Sequence, residues 1–447
     1  MNHFLSIPKI GFVSLGCPKA LVDTENILSR LSCEGYDITD SYEMADLVII
    51  NTCGFITDAV DESFDAIRDA MMKNGKVMVT GCLGKKADFV KEHFPDLLAV
   101  TGPNDLSELM DAVHLHLPKP HDSRLDLIPP QGIRLTPRHF AYLKISEGCS
   151  HQCRFCIIPQ LRGPLVSRNP ADILSEAQKL VENGVQEILV VSQDTAAFGQ
   201  DLKYTKSFWE GQAVGNNIAD LANALSDFDV WIRLHYLYPY RNLDKLVELM
   251  SDGKILPYLD MPLQHASHSV LKSMRRPAAT EDMLKRIEHW RSICPDLTIR
   301  STFIVGYPGE TEDDFNQLLH FLKEARLNRV GCFTYSPIDG ASANELPNPV
   351  DFETAEYRRQ KLMQVQAEIS RAEMKKLVGK KVEVVIDEID GNVAIGRRKA
   401  DAPDIDGLVY IANGAEFYPG DLVEVIVDRT DEHDCYVDSP PADHDVW

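Results

Sequence analysis

Residues 148–156 read Gly-Cys-Ser-His-Gln-Cys-Arg-Phe-Cys, three thiols at the spacing C-x3-C-x2-C. Thiolates in so tight a loop are soft-metal ligands, and such centres ordinarily take four donors. The next cysteine is Cys294, far along the chain. Either a remote donor completes the set, or one position stays open for a ligand from outside. A structural zinc site would need His151 or a distant cysteine as its fourth ligand. Structural zinc usually shows two paired ligand sets. No second pair exists here, and His151 is crowded between Cys149 and Cys153. The sharper reading is a four-iron cluster on Cys149, Cys153 and Cys156, with one iron free to bind a small chelating cofactor.

A second set is spread more widely. Cys17 follows KIGFVSLG, Cys53 follows LVIINT and Cys82 follows KVMVTG. Each stands just past the C-terminal end of an expected strand. In a doubly wound parallel sheet those ends converge on one crevice, so three thiols some thirty residues apart can meet at a second three-thiolate cluster. Cys33, Cys294, Cys332 and Cys435 lack such placement and read as small buried hydrophobes.

The elements that must position these thiols follow from apolar periodicity. Over residues 8–118, short apolar strands alternate with helical patterns, which predicts an α/β unit with a doubly wound parallel sheet. A proline-rich stretch, 119–134, reads as a linker. Residues 135–372 carry six candidate strands: HFAYLKIS, QEILVVSQ, VWIRLHYL, YLDMPLQ, TIRSTFIVGYP and VGCFTYSP. With helices between them they suit a parallel (β/α)6 partial barrel, whose reactive face is the C-terminal end of its strands. The 149–156 loop follows the first of these. Short strands with Gly and Asp turns over 375–441 predict a small antiparallel β-barrel.

Composition narrows the class. Ten cysteines scattered through 447 residues do not resemble a dense secreted disulfide scaffold, and one tight cluster fits a reducing, cytoplasmic setting. No apolar run is long enough for a membrane span. The start, MNHFLSIPKIGFVSLG, reads as a strand and not as a signal peptide. Net charge is −22, which favours a basic partner over nucleic acid.

The pattern C-x3-C-x-aromatic-C, here Cys149, Cys153, Phe155 and Cys156, resembles the radical S-adenosylmethionine superfamily. The resemblance implies that the open iron binds S-adenosylmethionine and that an electron from the cluster releases a 5′-deoxyadenosyl radical. It also implies cofactor contacts at Phe155, at Gln193 after the second barrel strand, and at Gly306 in the turn VGYPGET, where a glycine would admit close backbone approach. With the three-cysteine first domain and a terminal barrel that would be a TRAM domain, nearly the whole chain resembles the methylthiotransferase family. Its members insert sulfur into an unactivated C–H bond and methylate it. Cys149, Cys153 and Cys156 inherit the radical [4Fe-4S] cluster, and Cys17, Cys53 and Cys82 an auxiliary [4Fe-4S] cluster that handles sulfur. An electron donor such as a flavodoxin is implied as a partner. No residue is singled out as a general acid or base.

Two branches differ in substrate. VSLGCPKALVDTE and SQDTAAFGQD are similar to the branch that modifies the β-carbon of an aspartate in the small-subunit ribosomal protein number twelve. The other branch modifies an adenosine beside the anticodon of transfer RNA. Ala20 departs from the asparagine expected there and removes no ligand. Residues 375–447 hold 8 Lys or Arg against 17 Asp or Glu, a balance of −9. An RNA-gripping domain should be basic, so the charge favours a basic ribosomal protein, with Asp401, Asp404 and Asp406 expected on an exposed docking loop. The loop 201–217 is expected above the barrel mouth, as a variable solvated loop in preference to a substrate contact. A transfer-RNA enzyme is the alternative, and a non-catalytic iron–sulfur or zinc RNA-binding adaptor the second.

Overall fold

The computed structural model describes residues 7–103, 105–120, 132–276 and 282–438. Most of the proline-rich stretch at 119–134 and the last residues of the terminal unit lie outside them.

In the first unit five parallel strands stand in the spatial order Asp37–Thr39, Lys9–Ser14, Leu47–Thr52, Val77–Gly81, Ala99–Val100. The central strand LVIINT is buried at all six positions, as expected of a strand covered on both faces. Ile49 packs with Ile27, Leu31 and Leu109 on one side, and Val48 and Ile50 with Ile67 and Val90 on the other. This strand order places the topological switch point between the first strand and LVIINT, where such sheets bind ligands.

The second unit has six parallel strands in two runs of three. Phe140–Lys144 pairs with Glu187–Val191, which pairs with Trp231–Leu234. Tyr258–Asp260 pairs with Thr298–Val305, which pairs with Arg329–Thr334. Backbone bonds from Leu256 N to Ile232 O (2.9 Å) and Leu237 N to Asp260 O (2.8 Å) join the runs. The outer helices bury one continuous core against these strands, including Cys294 and Cys332. The stretch 201–217 contains an antiparallel hairpin, Lys206–Trp209 with Gln212–Gly215, its base held by Asp201 accepting from Ser167 N and Oγ at 2.9 and 2.6 Å.

The terminal unit is a six-strand sheet in the order Leu422–Ile426, Lys381–Asp390, Val393–Arg398, Val409–Ala412, Cys435–Val437, Arg429–Thr430. It is antiparallel-rich, as expected, with one parallel pair, Val409–Ala412 beside Cys435–Val437. Cys435 lies in its core.

This sheet is bonded to the barrel at the N-terminal ends of the strands, opposite the reactive face. Arg397 joins Glu187 and Asp387, each at 2.7 Å, and Glu187 also accepts from Arg233 at 2.7 Å. Asp401 accepts from Arg398 and Arg329. Asp406 accepts from Tyr258 at 2.6 Å and lies 3.4 Å from Arg300. The expected docking loop is therefore a junction: the Asp401 and Asp406 side chains are 0% and 1% exposed, and only Asp404 of the three is exposed. A cleft of about 430 Å³ at the same border is lined by Lys376, Lys380, Lys381, Arg398 and Lys399. Four of these five pair with Glu373, Glu424, Asp401 and Glu383, which leaves little free charge for phosphates.

Candidate active site between two thiolate sets

The first unit sits over the C-terminal ends of the barrel strands, so the two sets of strand ends face each other. Val22, on the helix Pro18–Cys33, packs against Phe140, Tyr142, Leu189 and Val191 of the barrel. Cys82 packs with Ile157, Leu161 and Ala341. At the rim, Lys86 pairs with Asp339 at 2.9 Å, and the Thr57 and Ser336 hydroxyls meet at 3.1 Å.

The loop 149–156 is fixed before any metal is considered. Gly148 has φ +74, and a Cβ there would lie 2.1 Å from the Pro164 carbonyl oxygen, so only glycine fits. Cys149 N donates to Gly163 O at 3.0 Å, Cys156 N to Cys153 O at 3.2 Å, and Ala343 N to Arg154 O at 2.9 Å. His151, one of the two fourth ligands open to the zinc reading, is engaged elsewhere. Its Nε2 lies 2.7 Å from Asp194 Oδ2 and 2.7 Å from the Tyr240 hydroxyl, and its ring stacks on Tyr238 at 4.3 Å. Among the described residues no three His, Cys, Asp or Glu side chains converge on a single-ion site. A mononuclear zinc would need that convergence; thiolates spread around a larger cluster would not.

Cys17 and Cys53 flank the switch point of the first sheet, and Cys82 follows the next strand. A Cβ at Gly16 would touch Cys53 Cβ at 3.4 Å, and one at Gly54 would lie 3.3 Å from the Cys82 carbonyl carbon; the three cysteine loops are in contact. Cys53 is held by Ser63, whose hydroxyl accepts from Cys53 N at 3.2 Å and donates to its carbonyl at 3.1 Å.

One side chain of the barrel reaches the thiols of the first unit. Arg162, six residues past Cys156, donates Nε–H to Cys82 Sγ at 3.2 Å and approaches Asp23 at 3.1 Å and Glu147 at 2.9 Å through Nη1. Lys144 bridges the same two carboxylates. Burial pushes Cys82 up to about 11 against the pull of Arg162, and burial also raises Cys53. At Cys17 burial is outweighed by Lys19, the Ala20 amide and Arg162, so this thiol falls below its ordinary value. In the barrel loop, burial pushes Cys149 up to about 11 and Cys156 up to about 12. Arg276 adds fixed charge, with Nη1 3.9 Å from Cys153 Sγ and its guanidinium 3.9 Å over the Tyr238 ring.

The donor sets and two buried, unbonded polar atoms, Gln193 Oε1 and Arg276 Nε, fit two iron–sulfur centres and a polar cofactor. Gln193 lies at this mouth, its Nε2 donating to Glu147 at 2.8 Å. Phe155 packs beside Tyr307, Met274 and Ala343. Gly306 has φ +73, and its missing Cβ would meet Ala355 Cβ at 2.4 Å, so this turn packs closely on the helix Phe352–Met374. Glu310 of the same turn binds that helix through Arg358 at 3.0 Å, and burial pushes Glu310 up to about 7 despite the arginine. Arg162, Arg276, Tyr238 and Asp194 carry no periodicity or spacing signal; only the tertiary contacts reveal them.

Comparison with known proteins agrees with this architecture. The radical SAM superfamily profile matches residues 143–322, the uncharacterized protein family UPF0004 matches 9–102, and a TRAM domain matches 378–438. The chain is 58% identical over 438 residues to the ribosomal protein uS12 methylthiotransferase RimO of Methylobacillus flagellatus, covering 98% of this chain and 99% of that one. It is 57% identical to the RimO of Nitrosomonas europaea, covering 96% of each. In fold it is similar to the radical S-adenosylmethionine methyltransferase TsrM of Kitasatospora setae, with TM-score 0.52, 13% identity and 74% of each chain covered. At near-full coverage and more than half the residues identical, the chain belongs to the RimO family of ribosomal protein uS12 methylthiotransferases.

Proposed function

We propose that the protein attaches a methylthio group to the β-carbon of an aspartate in ribosomal protein uS12. The observation that carries this reading is two sets of three cysteines at facing strand ends, with Arg162 of the barrel unit bonded to Cys82 of the first. Cys149, Cys153 and Cys156 hold a [4Fe-4S] cluster with one open iron, and Cys17, Cys53 and Cys82 hold a second. The bound clusters and S-adenosylmethionine supply hydrogen abstraction, sulfur and the methyl group. Reducing electrons come from a carrier such as a flavodoxin.

The chain's own residues fix position and charge. Arg162 and Arg276 place guanidinium charge beside the thiolates, which offsets the cost of gathering anions in a poorly solvated cleft. Gln193, tied to Glu147, turns its unbonded carbonyl toward the mouth as an acceptor for the cofactor's polar groups, and Phe155 offers it an apolar face. The first unit covers the mouth and excludes water from the reacting carbon. Phe155, Gln193 and Gly306 are the cofactor contacts in this reading. No helix among the described residues is long and apolar enough to cross a membrane, consistent with a substrate met in solution or on a ribosome.

The test offers the reconstituted enzyme a uS12 peptide containing the target aspartate and, separately, an anticodon stem-loop. Mass analysis is expected to show one methylthio addition on the peptide and none on the RNA. A modified stem-loop with an untouched peptide would reverse the assignment.

A further inference from the structure

We infer that Lys19 binds the carboxylate of the substrate aspartate and so selects the residue to be modified; this rests on the function proposed above. Lys19 lies two residues past Cys17, in the first turn of the helix Pro18–Cys33. From there it reaches across to the barrel, where its ammonium stands 3.5 Å above the centroid of the Tyr236 ring. It therefore touches both units at the point where the two thiolate sets face each other.

The platform beneath it is built at a cost. Tyr236 follows the third barrel strand with φ +58, a left-handed conformation unfavourable to an aromatic residue and retained only where surroundings impose it. Two bonds impose it: Tyr236 N donates to Asp260 Oδ2 at 3.1 Å, and its carbonyl accepts from Thr195 N at 3.1 Å. A strained tyrosine held from two sides, with a lysine centred on its face, is an arrangement that pins an ammonium.

The groups that favour that ammonium are Tyr236 and the Cys17 thiol, and neither is a carboxylate. Nearby Lys144 and Arg162 are both paired with Asp23 and Glu147. Lys19 is half-buried, yet among the described residues no carboxylate lies within ion-pair distance of it. An ammonium carries three donors, of which a ring face uses few, so one pinned here can donate charge-assisted bonds to an incoming anion. An aspartate carboxylate is such an anion. It also fixes the reacting atom, because the β-carbon is bonded directly to the carboxyl carbon. Gripping the carboxylate at Lys19 holds that C–H group between Cys17 and the barrel mouth. A nucleobase has no anionic group next to its reacting carbon and gains nothing from this cation.

Lys19 also faces Cys17, so the test must separate substrate recognition from an effect on the auxiliary centre. Fluorescence anisotropy would measure binding of a labelled uS12 peptide, and of the same peptide with asparagine at the target position, to full-length reconstituted enzyme. Wild type, Lys19→Met and Lys19→Arg would be compared at equal iron and sulfide content, with Lys19→Gln as replacement should Lys19→Met load poorly. Losing a charge-assisted bond predicts that wild type prefers the aspartate peptide by about 10- to 100-fold. Lys19→Met should bind both peptides equally, and Lys19→Arg should regain most of the preference. A Lys19→Met enzyme that still prefers aspartate overturns the inference alone. A wild type that binds both peptides alike overturns the aspartate assignment, and the inference with it.

Discussion

Cys153→Ala is expected to abolish both reductive cleavage of S-adenosylmethionine and methylthio transfer, whereas Cys53→Ala should abolish transfer and keep cleavage. The two thiols sit in different units. Cys153 belongs to the barrel loop that Arg276 faces, while Cys53 is held by Ser63 on the far side of Arg162. Removing a ligand from one set leaves the backbone bonds that shape the other loop untouched. Release of 5′-deoxyadenosine and modification of a uS12 peptide, followed in parallel on reconstituted variants, would separate the two steps. A Cys53→Ala enzyme that loses cleavage while its barrel cluster keeps full iron content would refute this division of labour.

Asp401→Lys should be the most destabilising single change in the terminal unit. The Asp401 carboxylate is fully buried and accepts from two arginines, one on each side of the junction: Arg398 within its own sheet and Arg329 at the start of the last barrel strand. Removing one partner from a buried ion pair costs about 3–5 kcal/mol, and a lysine there adds a third cation. Asp404→Asn, at an exposed position whose φ of +66 asparagine tolerates, should change stability by about 0.5 kcal/mol or less. Urea unfolding midpoints would compare them. Burial alone would raise the Asp401 pKa, but Arg398 and Arg329 outweigh it and hold the carboxyl below its ordinary value. A carboxylate depressed in the folded state stabilises fully above its unfolded pKa, near 4, and that contribution fades as pH falls through the lower folded value. The acid limb below about pH 4 should therefore be steeper in wild type than in Asp401→Asn. Equal limbs would mean that the pair contributes nothing net.

The placement of the thiols was legible for simple reasons: Cys17, Cys53 and Cys82 each follow an apolar run of the kind buried strands produce, and Cys149, Cys153 and Cys156 share one tight loop after another such run. LVIINT, buried throughout, and the strand order that puts Cys17 and Cys53 at the switch point follow from that pattern. Charge was harder to place. Asp401 and Asp406 stand among Gly, Pro and Asp in a stretch that looks like a solvated loop, yet they pair with Arg329, Arg300 and Tyr258 from distant strands. Nothing local encodes those partners. Gly306 shows a related limit, since a glycine with positive φ signals close approach without saying to what, and its missing Cβ would meet Ala355. Arg162 and Lys19 were legible as residues, but their roles arise only when the first unit is set on the barrel mouth.

Iron and acid-labile sulfide content, measured after anaerobic reconstitution of three proteins, tests the two-centre arrangement most directly. The proteins are wild type, a variant with Cys17, Cys53 and Cys82 changed to alanine, and a variant with Cys149, Cys153 and Cys156 changed to alanine. Two independent three-thiolate centres predict about eight irons per chain in wild type and about four in each variant. A wild-type chain that holds only about four irons, or a single triple variant that removes them all, would contradict the account.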